Sequence, residues 1–343
     1  MRGLVVTRER ALLLAEDIPM PEVGEYDALV QNACCIICNG TDQEIIRGAL
    51  AEVGDYPVML GHESAGYVVR RGAKARHYRE GDLVVRSIVR KNEKYGCGWG
   101  GFSEYGLVTD YRAMVEDHAP EADRYTIGCM QGVFPKGFTP VQAAMAITYK
   151  ETYSAFARLG VQPGDALALV GDGPVALCMA GVARLFQAKE LHIIGENERT
   201  MGKALSMGAS AVYNHRNPGE MELLRRNCGK RAQFYIDTIG TNQTLAQGLP
   251  LLAPDGVMAV YGLHSGDVLT LPLAGMRNFG IRFMQFPIHA KEGAAHEKIL
   301  EAAGSGLLDL DALVTHRLPI QEYEKGFELV RSKEGIKVAL LFQ

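Results

Sequence analysis

The sequence predicts an α/β protein of two domains, a mainly β region followed by a doubly wound parallel sheet. Three observations carry this. Residues 1–140 hold short strand-like runs broken by glycine turns. From residue 165 onward, apolar runs of strand length alternate with helical stretches. The length of 343 residues is about twice that of an ordinary domain. In the first region, residues 29–33 (LVQNA) and 67–69 (YVV) read as strands, while Gly81-Asp82 and the GCGWGG run at 96–101 read as tight turns. At Thr139-Pro140 the character changes: threonine caps a helix with proline in its first position, and the helical pattern continues to Gly160. ALALVG is then a fully apolar strand, PVALCMAGVARLFQA a helix, LHIIG a second strand and ERTMGKALSMGA a second helix. AVYN, FYID and GVMAVYG are further strands. Strands that alternate with helices form βαβ units, and strands buried on both faces read as unbroken apolar runs. After residue 290 come two helix-like stretches, AAHEKILEAAG and EYEKGFELVRS, and a closing strand, IKVALLF. The expected division is 1–145, completed by 290–343, and 146–289.

Composition excludes several function classes. Hydrophobic residues make up 47% and charged residues 22%, which rules out a disordered chain. The net charge of −4 offers no basic face for nucleic acid and no cationic surface for anionic lipid. No apolar run reaches the roughly 18 residues of a membrane helix, and the charged N-terminus does not read as a signal peptide. Seven cysteines are an odd number for a disulfide framework, so a reducing, cytoplasmic setting is expected.

The strongest motif is Gly171-Asp172-Gly173-Pro174-Val175-Ala176, which follows the ALALV strand and opens a helix. This is G-x-G-x-x-A: one glycine for the turn, a second for close approach of a pyrophosphate, and a small residue for helix–strand packing. The helix N-terminus offers free N–H groups to phosphate. Gly171, Gly173, Pro174, Val175 and Ala176 are therefore the expected dinucleotide cradle. An acidic residue about 20 positions on binds the ribose 2′-OH of NAD and repels a 2′-phosphate. Counting back from Gly208 puts that position on Gly195, which points to NADP; a shift of one residue puts it on Glu196, which points to NAD. NAD is favoured, with Glu196 as the ribose residue.

The second constellation is Cys38 in CNGTD together with His62-Glu63 in GHESAG. A thiolate and an imidazole are good zinc ligands, and a catalytic zinc takes three protein ligands and keeps one open position. On these residues the chain resembles the medium-chain dehydrogenase/reductase superfamily, specifically its zinc-dependent alcohol, polyol, sugar and threonine dehydrogenases. GHE followed by Gly66 and Gly72, the order of domains and the KGFELVRSKEGIKVALLF tail carry the resemblance. It implies a GroES-like mainly β catalytic domain beside a Rossmann domain. It further implies Cys38 and His62 as zinc ligands, Glu63 as a carboxylate that can swap in as a ligand, and Thr41 as the hydroxyl that passes the substrate proton outward.

Three departures from the family pattern stand out. The family reads C-x-[ST]-D where this chain reads C-x-x-T-D. The family's third ligand falls on Ile147, which cannot bind zinc; Glu151, one helical turn on, either replaces it or serves as an acid/base. The stretch RKNEKYGCGWGGFSEYG holds only Cys97 where relatives carry four clustered cysteines, so one catalytic and no structural zinc is expected. Trp99 either lines the substrate site or packs a loop. Cys34 and Cys35 read as buried small hydrophobes, and His77, His118, His192 and His215 receive no role. The resemblance implies hydride transfer between NAD(P) and a secondary alcohol of a small polar substrate, with no nucleic-acid or membrane partner, in a homodimer or homotetramer. IRFMQF is either a sheet edge or the last interior strand. A zinc-free NAD(P)H reductase of the same fold and a non-catalytic NAD(P) sensor are the alternatives.

Overall fold

The computed structural model describes residues 1–50, 53–264, 268–276 and 278–342. They form two compact units. The first comprises Met1–Ile147, Glu292–Ala303 and Asp309–Gln343; the second comprises Thr148–Lys291 and Gly304–Leu308. The division falls inside helix Pro140–Leu159. That helix starts where its sequence says it should. Thr139 Oγ1 accepts the N–H of Gln142, and Gln142 Oε1 accepts the N–H of Thr139, a reciprocal cap that satisfies two otherwise orphaned donors.

In the second unit the described strands form one parallel sheet. In chain order they are Ala166–Val170, Glu190–Gly195, Ala211–Asn214, Ala232–Asp237, Leu252–Val260 and Phe279–Phe283. In space they run third, second, first, fourth, fifth, sixth, all parallel. This is the doubly wound order, which brings a phosphate-binding turn to the carboxyl end of the first strand. Ala166–Val170 lies in the middle and is buried along its whole length, as its unbroken apolar run requires. Phe279–Phe283, which shares residues 281–283 with the IRFMQF run, pairs only with Leu252–Val260 among the described strands and so is an edge.

In the first unit two sheets are described. The smaller orders Leu12–Ala15, Gly3–Val6, Val58–Met59 and Gly96–Cys97. The larger orders Val314–Pro319, Lys337–Leu341, Asp27–Ile36, Glu63–Arg71, Leu83–Val85 and Val133–Phe134, with Tyr105–Thr109 also paired to Asp27–Ile36. Two antiparallel registers matter for the site: Ile36 lies opposite Glu63, and Ala339 lies opposite Ile36. The loop after Ile36, the residue before Glu63 and the start of the final strand therefore meet at one end of this sheet.

The first region is mainly β, as the sequence predicts, but not wholly so. Short helices Thr41–Arg47 and Tyr111–Glu116 and a 3₁₀ stretch Ala122–Met130 interrupt it. Tyr111–Glu116 is started by Asp110, whose side chain accepts the N–H of Ala113. Six or seven residues are too few for a 3.6-residue hydrophobic period to register in the sequence.

Candidate functional site

The donor atoms of Cys38, His62 and Glu63 lie within 4.8 Å of one another. Donors about 2.0–2.3 Å from a tetrahedral zinc stand roughly 3.5 Å apart, so the group needs little closure to share an ion. The sheet register produces this. Cys38 lies two residues beyond Ile36, and His62 directly precedes Glu63, the residue opposite Ile36. His62 and Glu63 are buried, while Cys38 is half-buried.

His62 is held in a definite orientation. Its Nδ1 faces Asp42 Oδ1 at 3.5 Å, and its Nε2 lies 3.9 Å from Glu63 Oε1, so Nε2 points into the donor group. Asp42 has no exposed surface; its Oδ2 accepts the backbone N–H of Cys38 at 2.9 Å. One carboxylate thus fixes both the thiol-bearing loop and the imidazole, the arrangement that orients metal-ligating histidines. The Trp99 ring packs against His62 with centroids 5.3 Å apart, so Trp99 lies beside the group rather than only in its own loop.

The electrostatics favour a cation. Burial alone lowers the pKa of His62, but its neighbours Cys38 and Asp42 overcome it and hold the imidazole well above its usual range. Within the same group, His62 Nδ1 and Asp42 Oδ1 are buried without a hydrogen-bond partner. A sulfur donor, an imidazole and a carboxylate, oriented from behind, are a donor set of the kind zinc takes.

Lys337 completes the group. Its Nζ donates to both oxygens of Glu63, at 2.7 and 2.6 Å, from the first residue of the last strand. Both side chains are buried. A buried carboxylate is tolerable only when paired and hydrogen-bonded.

Ile147 is fully buried and contributes no donor. Glu151 is half-buried on the part of helix Pro140–Leu159 that belongs to the second unit, and is not a member of the three-donor group. Thr41 is the first, half-buried residue of helix Thr41–Arg47. Burial pushes the Cys34 thiol up to about 12 and the Cys35 thiol well above its usual value, which keeps both protonated and inert.

In the second unit, Gly171 follows strand Ala166–Val170, and Gly173 caps helix Pro174–Leu185 with Pro174 in the first turn. Gly171 has φ +122°, and a Cβ there would collide with the Thr238 hydroxyl. A Cβ on Gly173 would meet nothing within 4 Å, which leaves the cradle open above the helix N-terminus. Ala176 is fully buried against the sheet, and Val175 is half-buried. The open cradle and free N–H groups fit a pyrophosphate. Asp172 Oδ2 accepts the N–H groups of Glu196 and Asn197 at 2.8 and 2.7 Å, tying this turn to the end of the second strand.

The zinc-binding dehydrogenase family model matches residues 174–289, and the alcohol dehydrogenase GroES-like domain model matches residues 24–119. The chain belongs to the medium-chain dehydrogenase/reductase superfamily. An alcohol dehydrogenase of Cupriavidus necator is 28% identical over 99% of this chain and 98% of its own length. A sorbitol dehydrogenase of Bombyx mori is 25% identical over 96% and 95%. The fold matches an alcohol dehydrogenase from Thermus sp. ATN1 with a TM-score of 0.80 at 22% identity, covering all of both chains. The two family models correspond to the GroES-like and Rossmann-type parts expected from the sequence, and the chain is an oxidoreductase of the zinc-type alcohol and polyol dehydrogenase group. Within that frame the sequence reading passed over Asp42 and Lys337. Asp42 had a local signal, the T-D pair after Cys38. Lys337 had none, because its partner is 274 residues away.

Proposed function

We propose that this dehydrogenase transfers a hydride between NAD(P) and a secondary alcohol of a small polar substrate, a polyol, sugar or amino alcohol, with one catalytic zinc. The observation that carries this is the Cys38, His62 and Glu63 donor group, oriented from behind by Asp42. A zinc ion there supplies Lewis acidity at the alcohol oxygen. NAD(P), cradled by Gly171, Gly173, Pro174, Val175 and Ala176 with Glu196 at the ribose, supplies the hydride acceptor or donor. The rest is the work of the chain. Asp42 holds the ring of His62 so that Nε2 faces the donor group. Lys337 neutralises Glu63 and keeps it poised. Trp99 packs on His62 and puts an apolar ring beside the group. Thr41, half-buried, passes the substrate's hydroxyl proton through Oγ1 toward solvent. Glu151 is assigned acid/base work rather than metal ligation, because Glu63 already makes a third donor.

A panel of secondary alcohols, followed by NAD(P)H absorbance, is expected to give turnover on polyols or sugars that strong chelation abolishes and zinc restores. Turnover that survives complete metal removal defeats this reading. One observation favours a zinc-free reductase instead: Lys337 already satisfies both oxygens of Glu63. Metal analysis of the purified protein separates the two, with one zinc per chain expected for the dehydrogenase.

All seven cysteines are free, which supports the reducing cytoplasmic setting. Among the described residues no helix is long and apolar enough to cross a membrane. The edge strand Phe279–Phe283 and the residues after it expose Ile281, Phe283, Phe286 and Ile288, with Phe283 52% exposed. An open edge of this kind is a template for pairing with a second copy. A homodimer or tetramer is therefore expected in sedimentation equilibrium, and Phe283→Asp is expected to shift it toward monomer. A wild-type monomer at tens of micromolar removes this part of the proposal.

A further inference from the structure

The end of the second Rossmann strand carries a side-chain cluster that the cradle alone does not require. Asp172 folds over Gly195, where a Cβ would lie 2.7 Å from the Asp172 Cβ. No side chain fits at 195, so the acidic position near the ribose moves to Glu196. Glu196 does not stand alone. Its Oε2 lies 2.6 Å from Arg216 Nη2 and 3.3 Å from His215 Nε2. Parallel register explains the meeting: Gly195 pairs with Asn214, and the N–H of His215 donates to the carbonyl of Gly195, so the residues just past both strands face each other.

A lone carboxylate here would bind a 2′-hydroxyl and repel a 2′-phosphate. A carboxylate already paired to a guanidinium and an imidazole is a different object. Its negative charge is offset by the Arg216 guanidinium, and a guanidinium and an imidazole N–H are themselves good phosphate donors. Arg216 is largely exposed, with 72% of its side chain accessible, so it can change rotamer at little cost.

We propose that Glu196, Arg216 and His215 form an exchangeable ribose clamp that admits both NAD and NADP. With NAD, Glu196 accepts the 2′-OH and keeps its two partners. With NADP, Arg216 and His215 leave Glu196 for the 2′-phosphate. The clamp rests on the dinucleotide reading made above and makes Arg216 the residue that determines tolerance of NADP.

The test is binding rather than turnover. NADH and NADPH are titrated by fluorescence, and AMP and 2′,5′-ADP by calorimetry, on wild type, Arg216→Ala, Arg216→Lys and Glu196→Gln. Wild type is expected to bind both dinucleotides with affinities within about tenfold of each other. Loss of one charge-assisted contact in Arg216→Ala is expected to weaken NADPH and 2′,5′-ADP by about 10- to 100-fold while moving NADH and AMP by less than about threefold. Arg216→Lys should recover part of the loss. Glu196→Gln should weaken NADH and tighten NADPH. The clamp is overturned if wild type takes only one of the two dinucleotides, or if Arg216→Ala moves both alike or neither. If wild type binds no dinucleotide at all, the cradle reading itself falls, and the clamp with it.

Discussion

His62→Ala is expected to lower kcat/KM by about 10³-fold or more and to reduce bound zinc from one per chain to near zero. The magnitude follows from the several kcal/mol of charge stabilisation that a metal supplies at a reacting oxygen, with each 1.36 kcal/mol worth about tenfold. The imidazole is buried, orients its Nε2 into the donor group and is backed by Asp42, so no neighbour can take its place without moving the chain. The variant should still bind dinucleotide with near wild-type affinity, because Gly171 and Gly173 belong to the other unit. That pairing of outcomes makes the experiment specific. A variant that keeps both zinc and turnover removes His62 from the mechanism, whereas one that loses dinucleotide binding as well has simply misfolded.

Lys337→Met is expected to destabilise the first unit by about 3–5 kcal/mol, the usual result of stranding one partner of a buried ion pair. Glu63 is buried and accepts two short hydrogen bonds from Lys337 Nζ, so the substitution strips a buried carboxylate of both. Methionine roughly keeps the volume of the lysine stem, which limits any packing contribution. The double variant Glu63→Gln/Lys337→Met should recover part of the loss, since a neutral amide costs less to bury than an unpaired charge. Added zinc should raise the thermal midpoint of Lys337→Met by more than it raises that of wild type, because the ion offers Glu63 a replacement cation. A single variant that melts within about 1 kcal/mol of wild type would mean that the pair carries little of the stability assigned to it.

The two motifs were legible because each is local. G-x-G-x-x-A declares itself through its flanking strand and helix, and GHE through three consecutive residues. Helix Pro140–Leu159 was legible from its cap and proline, and strand Ala166–Val170 from its unbroken apolar run. The cofactor position was not legible to the residue. Counting along the chain gave Gly195, and Glu196 only with a shift of one residue; the structure adds that the side chain of Asp172 lies over Gly195, where a Cβ would not fit. Likewise His215 gave no sign of a role. Its meeting with Glu196 depends on the parallel pairing of two strands and on the direction in which the chain leaves each.

The β-rich unit, the doubly wound sheet and the G-x-G-x-x-A turn before helix Pro174–Leu185 could all be read from the amino-acid order, which also singled out Cys38, His62 and Glu63 as candidate metal donors. Those properties reside in hydrophobic period, turn composition and short spacings, which the chain carries wherever it runs. Tertiary structure alone decided that these three donors converge, that Asp42 stands behind His62, and that Lys337 closes on Glu63. Each of those meetings is fixed by an antiparallel register, Ile36 against Glu63 and Ala339 against Ile36. A strand's side chains alternate with a period of two, so a slip of one residue would turn them to the opposite face and take the donors apart.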